Sequence, residues 1–165
     1  MSQFVNEAGS FTGISPANFK TAMRRFASTV SVVTSGHGAV LNGMTATAVC
    51  SVSAEPPSIL IVVNQESQSH ALIQKSGAYT VNVLAASQET LAVHFASRSV
   101  APFATVPYSL GITRSPIIDN CASFLECVLE SAMPSGTHSI FIGRVVASGG
   151  SGCSPLIYHD GKYRG

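Results

Sequence analysis

Short stretches rich in β-branched and apolar residues, separated by turn-forming residues, recur along this 165-residue chain. Such stretches predict β-strands. Residues 58–64, SILIVVN, form a continuous apolar run typical of a buried strand, and residues 79–84, YTVNVL, alternate apolar and polar positions. The predicted strands lie at residues 29–35, 39–42 (broken by Gly43), 45–53, 58–64, 79–84, 123–130, 139–147 and 155–159, with turns at 36–38 and 160–161.

Three segments have the apolar spacing and the end residues of helices. In the first, Ser15 and Pro16 are typical of a helix start, and an apolar stripe follows at i, i+4 and i+7. In the second, Gly77 is a typical residue at a helix end. The predicted helices are one that begins at Ser15 with the stripe Phe19, Met23 and Phe26, one within residues 65–76, and one capped by Ser87.

The order of these elements predicts the fold class. Most of the predicted strands follow one another without an intervening helix, which disfavours a doubly wound parallel sheet. The chain is therefore predicted to be mainly β, an antiparallel barrel with a few helical insertions. Residues 97–120 show no period, and a loop of that length in a compact domain is usually functional. Residues 1–14 predict a flexible N-terminal arm, so one domain is expected over residues 15–165.

Composition narrows the choice of partners. The chain is 45% hydrophobic but only 10% charged, whereas a typical soluble domain has about 25% charged residues. A surface so poor in charge favours a homodimer that buries part of it, and the alternative is a monomer coated in Ser, Thr, Asn and Gln. The formal net charge of +1 gives no electrostatic basis for nucleic-acid binding.

The sequence also lacks the usual marks of export, membrane insertion and metal binding. Residues 1–10 do not have the pattern of a secretory signal, and the longest apolar run, 59–63, is far below the roughly 20 residues of a membrane span. We therefore expect a cytoplasmic protein. With no C-x-x-C spacing and no histidine at zinc spacing, reduced thiols and no metal site are predicted for Cys50, Cys121, Cys127 and Cys153.

Three places in the sequence hold candidate functional residues. Residues 42–48, NGMTATA, have small side chains that let a flat ring approach the backbone, the alternative being a tight strand crossing. Residues 64–70, NQESQSH, open a helix whose N-terminus suits a phosphate, the alternative being simple N-capping by a serine. His138 opens a strand and suits proton transfer, the alternative being a structural role. Rossmann, P-loop, serine-hydrolase and zinc-peptidase motifs are absent.

Several motifs occur in one order along the chain. The most specific is residues 43–48, GMTATA, followed by 51–53, SVS, and the prolines at 56–57. The others are residues 19–27, 30–34, Asn64 with Ser67, Ser69 and His70, Phe95 with Ala96, 137–143 and 155–158. Together they resemble, over residues 19–164, the flavin reductases with the FMN-binding split-barrel fold, which serve two-component monooxygenases. Ser28, Thr137 and Arg144 depart from the family pattern.

The resemblance implies a function and a set of site residues. It implies hydride transfer from C4 of NADH or NADPH to N5 of FMN or FAD, and delivery of the reduced flavin to a partner monooxygenase. In that assignment the isoalloxazine ring is faced by Met44, Thr45, Ala46, Thr47 and Ala48, and Ser51 lies along the flavin. The ribityl-phosphate end is held by Asn64, Ser67 and Ser69, and the far side of the flavin is closed by Phe95 and Ala96. His138 positions the nicotinamide, whose pocket is bordered by Tyr158 and residues 97–120.

Two other functions stay open at this stage. A flavin- or haem-binding split-barrel protein without turnover would show no NADH oxidation that depends on added flavin. An enzyme resembling pyridoxine-phosphate oxidase needs a strongly basic phosphate pocket, and the chain has only nine Lys and Arg residues. FMN and FAD stay equally open, as do NADH and NADPH. The candidates to contact a 2′-phosphate are Arg98, Arg114 and Lys162.

Overall fold

A computed structural model of the chain describes residues 13–97, 99 and 101–165. Residues 1–12 of the predicted N-terminal arm lie outside the described residues. The helices are α1 (Pro16–Met23), α2 (Gln68–Ser76) and α3 (Glu89–Ala96), with a 3₁₀ turn at Ala86–Gln88. The strands are β1 (Ser28–Thr29), β2 (Ser31–His37), β3 (Val40–Ala46), β4 (Val49–Ala54), β5 (Pro57–Asn64), β6 (Ala78–Val83), β7 (Tyr108–Leu110), β8 (Pro116–Ile118), β9 (Ser123–Ser135), β10 (His138–Gly149), β11 (Ile157–His159) and β12 (Lys162–Arg164).

Seven strands form one antiparallel sheet in the order β3-β2-β6-β9-β10-β5-β4. Strands β3 and β4 are its two edges, yet only Thr47 and Ala48 separate them along the chain. Because three Cα–Cα steps span at most about 11 Å, the sheet must curl until its edges lie side by side. Within the described residues no ladder joins the two edges. The predicted mainly β, antiparallel split barrel is therefore confirmed.

The barrel interior is filled by apolar side chains. Tyr79, Phe141 and Ile61 are fully buried there. Cys127 belongs to the same cluster, and burial raises the pKa of its thiol to about 12, so the thiol stays neutral and acts as a small apolar group. Burial also raises the pKa of the Tyr79 hydroxyl above its ordinary value. This interior holds the curled sheet together.

A second apolar cluster lies outside the barrel. Val33 of β2 belongs to the interior cluster, whereas its neighbour Val32 belongs to the outer one, because successive side chains of a strand face opposite sides. Helix α3 contributes Ala92 and Phe95 to the outer cluster. This packing fixes α3 against the outer face of the sheet near β3, and the site described below forms at that junction.

The segment predicted as an irregular loop, residues 97–120, contains a hairpin of β7 and β8. Each strand has only three residues, too few to show a period of two. Two buried side chains of the sheet hold the hairpin. Asn82 Oδ1 accepts the backbone N–H of Ile118 at 2.8 Å, and the Glu126 carboxylate accepts the N–H and hydroxyl of Thr113 at 2.9 and 2.8 Å. The segment is thus fastened over the outer face of the barrel.

Most helix ends follow the sequence prediction. The Ser15 hydroxyl accepts a hydrogen bond from the first turn of α1, and Gly77 ends α2 in the left-handed conformation, with φ of 68°. The prediction for Ser87 is wrong. It lies in the 3₁₀ turn rather than at the start of α3, because the Gln88 side chain accepts the N–H of Ala85 and closes that turn first. No helix in the described part of the chain has the length and hydrophobicity to cross a membrane.

Several strand predictions need correction. The strand predicted at residues 45–53 is divided, because β3 ends at Ala46 and β4 begins at Val49, and the one predicted at 29–35 is interrupted at Val30. Strand β2 continues to His37, so the turn predicted at residues 36–38 lies at 38–39 instead. Strand β9 continues past its predicted end at residue 130. Gly43 does not break its strand, because β3 passes through it with a regular pairing to Thr34 of β2. A glycine is required at this position because the ring of Phe95 packs closely against it, as described for the cavity below.

Candidate functional site

A cavity of about 590 Å³ opens between strand β3, the start of helix α2 and the end of helix α3. Its volume falls within the range of about 300–1,000 Å³ typical of small-molecule sites. One wall is apolar, and the rest presents hydroxyl and amide groups together with the side chain of Glu66. The lining residues are Asn42, Gly43, Met44, Asn64, Glu66, Ser67, Gln68, Ser69, Phe95, Ala96, Ser97 and Ser99.

The apolar wall is built where α3 crosses β3. The ring of Phe95 lies so close to Gly43 that a Cβ on this glycine would be 2.8 Å from the Phe95 Cε1 atom. The Thr45 hydroxyl donates to the carbonyl oxygen of Ala92 at 2.7 Å and ties the strand to the helix. Gly43 therefore permits a close approach of the helix, and its backbone lines the cavity beside an aromatic ring.

The polar wall is the N-terminus of α2. Ser67 is the N-cap, and its Oγ accepts the backbone N–H of His70 at 3.1 Å. The N–H groups of Gln68 and Ser69 belong to the first turn, where a helix offers no internal acceptor. Such a terminus attracts anions through its N–H groups and its dipole. This wall therefore suits the phosphate of a ligand.

A buried hydrogen bond links the two walls. Asn42 of β3 donates from Nδ2 to the Oγ of Ser69 at 3.2 Å, and both side chains are buried. The amide of Asn42 thereby fixes the first turn of α2 against the edge strand. This hydrogen bond holds the two walls at a fixed spacing, so the shape of the cavity depends on the distance between α2 and β3.

The third side of the cavity follows α3. The Ser97 hydroxyl donates to the carbonyl oxygen of His94 at 2.6 Å, and the His94 Nε2 lies 2.7 Å from the carbonyl oxygen of Pro102. The rings of Phe95 and Phe103 pack with centroids 5.2 Å apart. Pro102 and Phe103 are thereby held against α3, and Ser97 and Ser99 border the cavity.

Comparison with known proteins identifies the family. A sequence model described as flavin reductase like domain matches residues 23–165. The chain belongs to the flavin reductase-like family. It is 32% identical over 151 residues to the FMN reductase (NADH) RutF of Stutzerimonas stutzeri, with 90% of this chain and 87% of the relative covered. The resemblance inferred from the sequence is confirmed.

Two further relatives of this flavin reductase-like protein agree. It is 35% identical over 148 residues to the reductase component of 4-nitrophenol 4-monooxygenase/4-nitrocatechol 2-monooxygenase from Rhodococcus opacus, with 89% and 79% of the two chains covered. Its fold matches the solved structure of the Streptomyces globisporus NADH:FAD oxidoreductase SgcE6 in complex with NAD and FAD fragments. The TM-score is 0.86 at 32% identity, over 93% of this chain and 95% of that one.

The structure brings half of the predicted flavin-site residues together and places the others outside the cavity lining. The cavity is lined by Met44, Asn64, Ser67, Ser69, Phe95 and Ala96. Thr45 is engaged with α3, and Ala46 lies in the barrel interior. Thr47, Ala48 and Ser51 are exposed at the seam between β3 and β4 and do not line the cavity. The roles of all these residues toward a flavin stay predictions.

His138 lies beside the cavity but does not line it. It begins β10 and pairs with Asn64, a lining residue, across the strands. Its side chain is exposed, and its Nδ1 lies 2.8 Å from the Thr137 hydroxyl. Tyr158 lies in the separate sheet β1-β11-β12, with its ring 5.3 Å from that of Tyr163, and is not part of the lining. Neither predicted role is tested by this geometry.

Several lining residues were not among the predicted site residues. Asn42 and Gly43 lie in the candidate segment 42–48. Asn42 differs from the other residues of that segment in having a side-chain amide, which is buried although β3 is an edge strand. Ser97 and Ser99 follow α3 in a segment with no sequence pattern. Glu66 and Gln68 lie in the candidate segment 64–70. Within residues 13–97, 99 and 101–165, no three His, Cys, Asp or Glu residues are grouped as metal ligands.

Proposed function

We propose that this protein is an NADH:flavin oxidoreductase that reduces FMN or FAD and supplies the reduced flavin to a partner monooxygenase. The relatives named as an FMN reductase (NADH) and as a monooxygenase reductase component support the proposal. The cavity is the observation that carries it. A bare backbone beside the Phe95 ring continues into the N-terminus of α2. A flavin nucleotide has the same order of parts, because its planar ring is joined to a phosphate.

The chain contributes positioning rather than acid–base chemistry. When bound, flavin and nicotinamide supply hydride transfer from C4 to N5. The protein has to hold the two rings at close range. In this proposal the backbone at Gly43 and Met44 and the ring of Phe95 bind the isoalloxazine. The hydroxyls of Ser67 and Ser69 hold the phosphate end.

The residues at the seam complete the proposed flavin site. Thr47 and Ala48 connect the end of β3 to β4, and Ser51 follows on β4. All three are exposed, so they can border a ligand that extends out of the cavity along the seam. Asn64 already uses its Oδ1 to accept the N–H of Glu66 at 2.8 Å, so it has its amide group left to donate to a ligand.

The lining favours NADH over NADPH as the reductant. A 2′-phosphate is usually recognised by arginine or lysine. The described residues that line the cavity include neither, and among the three candidates named from the sequence Arg98 lies outside the described residues. The relative in Stutzerimonas stutzeri is named as an NADH enzyme. We also place the protein in the cytoplasm, since its four cysteines are all unpaired and free thiols are typical of reducing compartments.

The proposed activity is tested by following nicotinamide absorbance in the presence and absence of added FMN, FAD or riboflavin. Oxidation of NADH is expected only when a flavin is supplied, because the flavin accepts the hydride. Parallel reactions with NADPH test the assigned reductant, and these should be slower. A protein that oxidises neither nucleotide with any of the three flavins would contradict the proposed function.

His138→Ala is expected to lower kcat/KM for NADH about tenfold, because the side chain stands beside Asn64 where a nicotinamide would approach the flavin. The flavin Kd should change less than twofold. His159→Ala removes a histidine from the separate sheet and is the matched control. If kcat/KM is the same in both variants and the wild type, His138 has no part in positioning the nicotinamide.

We also propose that a second copy of the chain covers helix α1. None of the residues of α1 is buried, and Phe19 and Met23 are 54% and 43% exposed. Phe26, just beyond the helix, is 63% exposed. An isolated helix of eight residues is unstable in water, so its apolar side requires a packing surface. The low charge of the chain favours another copy as that surface.

Sedimentation equilibrium tests the proposed dimer. The wild type should sediment as a dimer, and the double substitution Phe19→Asp/Met23→Asp should give monomers, because it introduces two charges into the apolar contact. Thr21→Asp places one charge about 200° around the helix from Phe19 and should leave the dimer intact. A monomeric wild type, or a dimer that tolerates the double substitution, would contradict the proposal.

A further inference from the structure

We infer that Glu66 is a specificity-determining residue, whose carboxylate weakens the binding of ligands that have a dianionic phosphate relative to uncharged ligands with the same ring. The inference rests on the proposed function, because FMN and riboflavin are the pair of ligands that isolates this effect. They share the isoalloxazine ring and differ by one phosphate group.

The charges of the cavity lining are the first support. Glu66 is the one ionisable side chain among the described lining residues. It makes no ion pair with any described residue. The other polar lining groups are neutral hydroxyls and amides. Among the described residues, a phosphate in this cavity would therefore meet neutral dipoles and one full charge of its own sign.

The position of Glu66 in the chain is the second support. It directly precedes Ser67, the N-cap of α2, and its N–H donates to Asn64 Oδ1 at 2.8 Å. The N–H of Ser67 donates to the carbonyl oxygen of Asn64 at 3.1 Å. These two bonds hold the backbone of Glu66 beside the first turn of α2. A carboxylate there is stabilised by the same helix dipole that would attract a phosphate, so the two anions compete.

The size of the effect follows from Coulomb's law. A single charge about 8 Å from a dianion in a water-like medium weakens binding about fivefold. Riboflavin has no phosphate, so its affinity should not respond. The effect should also shrink at high ionic strength, because salt screens exposed charges over about 10 Å or less. For a reductase that releases reduced flavin, weaker retention of the phosphate speeds departure of the product.

The experiment measures the Kd of FMN and of riboflavin by quenching of flavin fluorescence, at low and high salt. Relative to wild type, Glu66→Gln should bind FMN about fivefold tighter and Glu66→Lys about 25-fold tighter, because each step removes the same increment of charge. Riboflavin should stay within twofold, and the FMN gains should fall at high salt. Glu55→Gln is the matched control, since that acid lies beyond the other end of β5, about 20 Å away.

Three results would overturn the inference. They are an unchanged or weaker FMN affinity in Glu66→Gln, an equal change for riboflavin, and no binding of either flavin. A structural role for Glu66 would alter both flavins alike and would not depend on salt. Wild-type NADH oxidation separates this inference from the proposed function, because it persists if only the role of Glu66 is wrong and is absent if the reductase proposal itself fails.

Discussion

Replacing Gly143 with alanine is expected to lower the free energy of unfolding by about 3 kcal/mol. Gly143 lies within β10, and a Cβ there would be 2.5 Å from the Tyr79 hydroxyl and 2.9 Å from the Cys127 Cβ. Both neighbours are fully buried in the barrel interior, so neither can move aside into solvent. Urea unfolding followed by circular dichroism measures the loss.

A second substitution at Tyr79 should partly restore the stability of the Gly143→Ala protein, and a glycine without close neighbours provides the control. The Tyr79 hydroxyl makes no hydrogen bond to a described residue, so Tyr79→Phe alone should cost little stability. In the Gly143→Ala background it should recover about half of the loss, because it removes the closest atom. Gly13→Ala adds a methyl group where no atom lies within 4 Å and should stay within about 0.5 kcal/mol of wild type. A Gly143→Ala protein as stable as wild type would contradict this packing of the interior.

Local patterns predicted those parts of the fold that local interactions determine. The apolar run at residues 58–64 became β5, in which Ile59, Ile61 and Val63 are buried while Leu60 and Val62, on the opposite face, are half-buried. Gly77 was correctly placed at the end of α2, because a left-handed residue there favours glycine. The turn at residues 160–161 was also correct, since β11 and β12 form a hairpin around it.

Contacts between distant parts of the chain were not predictable in this way. Gly43 was predicted to break a strand and Gly143 to lie within one, but each is required by a side chain far away along the chain. Gly43 contacts Phe95, and Gly143 contacts Tyr79. The position of α3 across β3 and that of β6 beside β9 determine these contacts, and neither follows from any window of residues.

The same distinction holds for the site. Asn64, Ser67 and Ser69 are close in sequence at a strand-to-helix junction, so the sequence alone predicts that they are close in space. All three line the cavity. Asn42 and Ser97 join them only because α2 and α3 both pack against β3. The family resemblance supplied Phe95 and Ala96, which no local pattern marks as lining residues.

Gly43→Ala is expected to lower kcat/KM for flavin by about one to two orders of magnitude. The new Cβ would lie 2.8 and 2.9 Å from two atoms of the Phe95 ring and 3.3 Å from Val32 Cγ1. The Phe95 ring is buried and also packs against Phe103, so we expect the clash to separate α3 from β3 and deform the apolar wall of the cavity. Overpacking of this kind costs about 1–3 kcal/mol, and about 1.4 kcal/mol corresponds to a tenfold change. Steady-state NADH oxidation at varied flavin concentration measures the loss.

Two variants show whether the Phe95 ring is the cause. Phe95→Leu removes the atoms that clash, so the double variant Gly43→Ala/Phe95→Leu should lose less activity than the two single losses combined. Gly149→Ala creates a similar clash with the ring of Phe124, at 2.7 and 2.9 Å, but away from the cavity lining. It should lower stability and leave the flavin KM unchanged. Normal activity in Gly43→Ala, or additive losses in the double variant, would mean that the bare backbone beside Phe95 does not form the flavin wall.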